Sequence, residues 1–252
     1  MSLTLIVVCL IVGLLIGAVG VGGVLLVPAL SIIGNIDVHS AIPASMLAYL
    51  ATGVIGAIVY ARQGSIEWDK VFWLCLGAVP SSFLGSISLL FIPAPLVMFL
   101  IAFMMIFAGI DALLKSFRPN RNRKQAPRLL RRHFIVIGFI TGFGSSITGT
   151  GGPLILIPIV IFLGLPVLTA VGLSQAIQVP IAIFASIGNW MSGNLDIKLG
   201  LVIAAAMVVG TFVGAILIHR LPGEPIRKFL AFFLVLVGIG IAFQQLLKLQ
   251  LF

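Results

Sequence analysis

Gly17-Ala-Val-Gly-Val-Gly-Gly-Val-Leu-Leu-Val-Pro28 is the stretch on which the reading of this chain turns, and it returns as Ser146-Ile-Thr-Gly-Thr-Gly-Gly-Pro-Leu-Ile-Leu-Ile-Pro158. In each copy Gly-x-Gly-Gly is followed by an apolar run and a proline, inside a long hydrophobic segment. Each glycine costs a helix roughly 1 kcal/mol relative to alanine, so a cluster invites the backbone to unwind. In lipid an unwound backbone is tolerated only where protein buries it or where it lines a wet cavity. Broken helices at matched positions of two halves point to a transporter's binding site.

The composition supports a membrane setting. Of 252 residues 61% are hydrophobic and 8% charged, and the mean hydropathy is +1.28. A soluble domain carries about 25% charged residues, so the chain is an integral membrane protein. Its net charge of +9 is concentrated, because eight of the fifteen Lys and Arg lie between Lys115 and Arg132. A basic loop between apolar spans is a cytoplasmic connection by the positive-inside rule, which argues against a nucleic-acid partner. Cys9 and Cys75 stand in apolar runs without a CxxC pattern or a neighbouring His or acid, and read as small packing residues. No basic n-region precedes the first apolar run, so it does not resemble a cleaved signal peptide.

About eight hydrophobic segments can be marked, at 3–33, 41–61, 71–91, 96–114, 134–163, 169–190, 199–218 and 226–247. Most are near the ~20 residues that cross a bilayer as helix. The first and fifth exceed one simple span and carry the glycines. Each is either a span with an unwound middle or two half-helices in a re-entrant hairpin. Trp68 and Trp190 flank loops where an interfacial aromatic belt would lie.

At a shift of 129, Gly20, Gly22 and Gly23 fall on Gly149, Gly151 and Gly152. Ser45 falls on Ser174, Gly64 on Gly193, Phe83 and Gly85 on Phe212 and Gly214, Pro93 on Pro222, and Gly109 on Gly238. The expected architecture is therefore an all-α polytopic membrane protein of two homologous halves, about four hydrophobic segments each, with a Gly-rich broken or re-entrant helix opening each half. Residues 1–115 form the first repeat, 116–132 a basic cytoplasmic linker and 133–252 the second repeat.

Orientation follows from the first and fifth segments. Eight plain spans give parallel repeats and put twelve basic residues inside and three outside, the three being Arg220, Arg227 and Lys228. Re-entrant segments invert the second half and leave two outside, Lys198 and Lys248, against thirteen inside. Charge alone leaves both topologies open. Pro93-Ala-Pro95 and Pro222-Gly-Glu-Pro225 read as tight turns. Glu67, Asp69 and Asp196 stand at helix starts, where an acid complements the dipole, and Asp111 and Lys115 are spaced as a local ion pair. Small-residue spacings at Ser81–Gly85 and Gly210–Gly214 suit a homodimer interface as readily as internal packing.

The apolar segments hold almost no ionisable side chains. His39, His133 and His219 lie at segment ends, and there is no HExxH, no Ser/His/Asp set and no paired carboxylate. An enzyme, a metal site and a cofactor are not expected. The segments do hold glycines, hydroxyls and amides. A broken helix exposes N–H groups, and a half-helix N-terminus carries about half a positive charge, so together they bind an anion without arginine. The candidate contacts are Gly20, Gly22 and Gly23 in the first cluster, and Ser145, Ser146, Thr148, Gly149, Thr150, Gly151 and Gly152 in the second. Ser174, Gln175 and Gln178 extend them on the sixth segment, with Ser45 and Tyr49 at matching places on the second. Interhelical hydrogen bonding and close helix packing explain the same residues without a ligand.

At Gly20-Val-Gly-Gly with Pro28, at Gly142-Phe-Gly-Ser-Ser-Ile-Thr-Gly-Thr-Gly-Gly-Pro153, and in its duplicated layout with a basic linker, the chain resembles the sulfite exporter TauE/SafE family of membrane transporters. The resemblance covers essentially the whole chain. It implies an anion transporter of the bacterial plasma membrane, acting mostly outward on sulfite, sulfoacetate and related organic anions. The expected function is a secondary carrier for a small sulfur-containing oxyanion, working by alternating access between the two repeats. An anion channel and a non-transport membrane scaffold are the alternatives. The expected partners are the small anionic substrate and the lipid bilayer. Val19 and Val21 stand where the second copy has Thr148 and Thr150, so the second copy carries more weight in binding.

Overall fold

A computed structural model describes residues 3–20, 22–117, 130–217 and 223–250. The basic run at 118–129, Val21, Arg220 and Pro222 lie outside the described residues. All regular structure among the described residues is helical. In order the helices are α1 (Leu3–Val19), α2 (Leu26–Ile32), α3 (Val38–Arg62), α4 (Trp68–Ser88), α5 (Ala94–Phe117), α6 (Arg131–Thr148), α7 (Pro153–Phe162), α8 (Val167–Met191), α9 (Ile197–Leu217) and α10 (Gly223–Gln250). A 3-10 turn, Gly22–Leu25, leads into α2. Ten helices replace eight segments because the first and fifth segments each break at their glycines.

Among the described residues five helices are long and apolar enough to cross a bilayer: Val38–Arg62, Trp68–Phe91, Ala94–Asp111, Val167–Met191 and Ile197–Leu217. At 1.5 Å per residue, α3 and α8 each reach roughly 37 Å, more than a hydrocarbon core of ~30 Å. The ten residues of α7 reach only about 15 Å and cannot span alone. Large apolar side chains such as Phe72, Phe103, Phe107, Phe212, Phe232 and Phe243 cover the outside. With lipid around them these faces are at home, and the chain is a multi-pass membrane protein.

Contacts show that both broken segments are hairpins. A β-carbon placed on Gly22 would meet the carbonyl of Val12 at 2.7 Å and the amide nitrogen of Ile16 at 2.9 Å, so the turn lies back on α1. One placed on Gly34, beyond α2, would lie 3.3 Å from Leu5 at the start of α1. The chain therefore returns to the end where it entered. In the second hairpin the same construction on Gly144 of α6 meets Ile155 of α7 at 2.6 Å, and Phe134 and Val160 share one buried cluster.

The hairpins enter from opposite ends of the bundle. His39, at the start of α3, has its Nε2 3.0 Å from the carbonyl oxygen of Ile92, just beyond α4. The end of α4 is thus level with the start of α3. Its own start lies at the other end, where the Arg131 guanidinium that opens α6 sits 5.0 Å over the Trp73 ring. Between the hairpins, α1 packs along α9, α6 along α4, and α5 along α10. The central α3 and α8 pack on each other, α3 also touching α9 and α8 touching α4.

Hydrophobic burial does not drive helices together in lipid, so close backbone contact has to. Glycine provides it. A β-carbon on Gly210 would run into the Leu10 carbonyl, and one on Gly214 into that of Leu14. Gly77 and Gly138 stand in the same relation to Ile135 and Leu74. The small residues at Gly210–Gly214 are thus consumed inside the chain, and Gly85 likewise faces the Phe143 carbonyl at 2.7 Å.

Candidate functional site

The breaks are shaped by backbone that only glycine adopts at low cost. Gly20 ends α1 at φ +79, and Gly149 ends α6 at φ +65 with its N–H on the Ser145 carbonyl at 2.8 Å. The second break then needs two more left-handed residues, Gly151 at φ +78 and Gly152 at φ +104. An L side chain there costs about 1–2 kcal/mol. Gly22 and Gly23 instead continue into a 3-10 turn.

The two breaks meet in the middle. A β-carbon on Gly23 would lie 2.8 Å from the carbonyl oxygen of Thr150. Tyr49, fully buried, stands between them: its hydroxyl donates to the Gly23 carbonyl at 2.6 Å. A β-carbon on Gly151 would meet its ring at 2.9 Å. From α8, Gln178 Nε2 donates to the Tyr49 carbonyl at 3.0 Å and to Thr52 Oγ1 at 2.9 Å. Tyr49, Gln178, Gly23, Gly151 and Thr150 therefore form one buried cluster between α3, α8 and the two breaks.

Other expected residues are committed elsewhere. Ser45 donates to the Ala41 carbonyl at 2.7 Å, Ser174 to that of Val171 at 2.7 Å, and Ser146 to that of Gly142 at 2.9 Å. Thr148 donates to the Gly144 carbonyl at 2.7 Å. Its single proton is spent there, so in the 3.1 Å contact with Thr150 it is Thr150 that donates. Gln175 turns away from the centre and donates to the Ile16 carbonyl at 3.0 Å. Tyr60 reaches the Gly17 carbonyl at 3.3 Å and Thr211 the Gly13 carbonyl at 3.1 Å. Three carbonyls near the end of α1 are thereby satisfied from three other helices.

Ser145 is different. It is fully buried and its hydroxyl has no partner, and the same holds for Thr141 one turn earlier. A β-carbon on Gly152 would lie 3.9 Å from Ser145 Oγ and 3.8 Å from the Thr141 methyl. Both side chains thus stand beside the first turn of α7. Thr141, Thr52 and Tyr60 are not among the contacts expected from the sequence. The four-residue spacing of Thr141 and Ser145 was the available signal for the first of these.

Tyrosines aside, every buried polar side chain among the described residues is Ser, Thr, Gln or Asn. Among those residues no three His, Cys, Asp or Glu come together as a metal set. Asp196 caps α9 by accepting from Leu199 N–H at 3.0 Å, and Glu67 pairs with Lys70. Asp111 has an interaction partner. What the arrangement offers chemically is neutral hydroxyls, carboxamides and backbone groups.

The model of the family described as Sulfite exporter TauE/SafE matches residues 5–241. "Probable membrane transporter protein YdhB" of Bacillus subtilis (strain 168) is 27% identical over 223 residues, 86% of this chain and 91% of that protein. "Probable membrane transporter protein YjnA" of the same organism is 26% identical over 251 residues, 95% of this chain and 99% of its own. A "Probable membrane transporter protein MJ0441" of Methanocaldococcus jannaschii is 25% identical and covers 93% of both chains. No solved structure matches the chain with significance.

Proposed function

The chain belongs to the sulfite exporter TauE/SafE family, and from that membership we propose that it is a secondary carrier moving a small sulfur-containing oxyanion outward across the plasma membrane. One observation carries this reading: two hairpins entering from opposite ends bring their glycine breaks together around Tyr49. Two half-helix tips at mid-bundle form the kind of site that transporters open alternately to either side. Rocking of one hairpin with its companion helices against the other would exchange access.

The 129-residue shift supports a tandem duplication in which the second half is inverted. Helix lengths agree with it: α3 and α8 have 25 residues each, α4 and α9 have 21 each. The packing of α1 on α9 is mirrored by that of α6 on α4. On this topology the basic linker is cytoplasmic, with thirteen Lys and Arg on its side and Lys198 and Lys248 opposite.

Direction follows from electrostatics. An anion leaving a negative-inside cell gains about 2.3 kcal/mol per charge per 100 mV, so export needs no coupling ion. The test is anion flux from proteoliposomes of purified protein under an imposed potential. Saturable flux with counterflow supports the carrier. Single-channel currents would make it a channel, and absence of flux from folded protein for sulfite and sulfonates would remove the transport reading.

A further inference from the structure

The chemical default for a hydroxyl on a buried helix is to bond the carbonyl three or four residues back. Ser45, Ser81, Ser82, Ser86, Ser146, Thr148 and Ser174 all follow it. Ser31 and Ser186 stand singly without a partner, and Thr141 and Ser145 depart from it together. Both are 0% exposed, neither has a partner, and they lie one turn apart on one face of α6. An unsatisfied buried hydroxyl is costly, so two on one face are a departure that calls for an occupant.

What they face is specific. Gly152 caps α7, with Ser145 Oγ 3.9 Å and the Thr141 methyl 3.8 Å from where its β-carbon would be. Pro153 opens α7 and has no N–H to offer. Ile155 and Leu156 send theirs back to the Gly152 carbonyl, at 3.2 and 3.1 Å. The N–H of Leu154 belongs to the first turn, where a ten-residue helix has no intrahelical acceptor. The Ser145 hydroxyl therefore sits beside a helix N-terminus of about half a positive charge, with Thr141 one turn earlier on the same face.

The first hairpin differs at the matching places. At the positions 129 earlier stand Val12 and Ile16, both buried. The carbonyls of Gly13, Ile16 and Gly17 are held by Thr211, Gln175 and Tyr60. Its returning helix, α2, has seven residues. The α1–α2 hairpin is fastened as a scaffold, while α6–α7 keeps its donors open.

We propose that Thr141 and Ser145, with the first turn of α7, form the single anion seat of this protein, and that the seat takes a monoanionic oxyanion head and rejects a doubly charged one such as sulfate. The inference rests on the transport reading and narrows it. A half charge and neutral donors balance about one negative charge. The second charge on such a head would be left unpaired in a low-dielectric interior, and among the described residues no buried cation offsets it.

The experiment is uptake of isotope-labelled methanesulfonate and sulfate into proteoliposomes, by the wild type and by Thr141→Val, Ser145→Ala and Ser86→Ala proteins. Ser86 donates to its own helix at Phe83 and serves as the control. The wild type is expected to favour methanesulfonate over sulfate at least about tenfold, and each α6 variant to raise the half-saturation for methanesulfonate about tenfold, the equivalent of one charge-assisted hydrogen bond. Ser86→Ala is expected to match the wild type. Equal handling of the two anions overturns the monoanion seat, and needs only the wild type should the variants misfold. Methanesulfonate flux that Thr141→Val and Ser145→Ala leave untouched places the seat elsewhere while the carrier stands. Loss of both anions' flux in folded wild type removes the carrier and the seat with it.

Discussion

Gln178 donates its carboxamide N–H to the carbonyl oxygen of Tyr49 at 3.0 Å, across an interval of 129 residues. The same interval separates the matched glycines of the two breaks. Residues at equivalent places in the proposed halves therefore touch each other where α3 crosses α8. Tyr49 adds a second bond, from its hydroxyl to Gly23 at 2.6 Å, so this contact also fastens the first break.

Tyr49→Phe keeps the ring and removes that bond. The Gly23 carbonyl keeps its place in the 3-10 turn and loses only its side-chain partner, about 0.5–1.5 kcal/mol. Thermal melting of the purified protein in detergent should fall by several degrees, and flux with it. Unchanged melting would mean that the Gly23 carbonyl gains nothing from Tyr49.

Gly151→Ala and Gly193→Ala separate strain from crowding. Their φ angles are +78 and +74, so alanine costs each about 1–2 kcal/mol. A β-carbon at Gly193 meets nothing within 4 Å, whereas at Gly151 it meets the Tyr49 ring at 2.9 Å. Gly151→Ala should therefore be the more destabilised by a further 1–3 kcal/mol or so, read from paired melting curves. Equal melting of the two variants would contradict the packing of Tyr49 between the breaks.

Gly138→Leu should abolish the α4–α6 crossing, because the side chain would enter the space of the Leu74 backbone. Gly240, on α10, has nothing within 4 Å of its β-position. Gly240→Ala should then be neutral or stabilising by up to about 1 kcal/mol. Size-exclusion profiles report the first outcome and melting the second.

The opposed hairpins predict which loops share a side. Cysteines introduced at Asn35 and Asn194 should react with a membrane-impermeant thiol reagent from one side, and one at Gln63 from the other. Cys9 is buried and Cys75 half-buried, so the background is low. Labelling of all three positions from one side would sink the inverted topology.

Much of the frame was legible in the chain. The segment at 41–61 became Val38–Arg62 and that at 169–190 became Val167–Met191, because run length and composition define a membrane helix locally. Asp196 as a cap was readable for the same reason. The hydroxyls were not. Ser145 and Ser146 are neighbours of identical chemistry, yet one bonds Gly142 and the other has no partner. The difference lies in the face of α6 each occupies, which depends on α4 and α7 packing around it.

By itself the sequence determined that this is a helical membrane protein broken twice at glycine, since hydropathy and backbone freedom belong to each residue alone. Only the tertiary structure decided that the breaks are hairpins, that they enter from opposite ends, and that Tyr49 joins them. Those outcomes depend on contacts such as Leu5 with Gly34, Arg131 with Trp73 and Tyr49 with Gln178. Nothing in either residue of such a pair encodes its partner. The pairing is set by which helix faces lie close enough to bond.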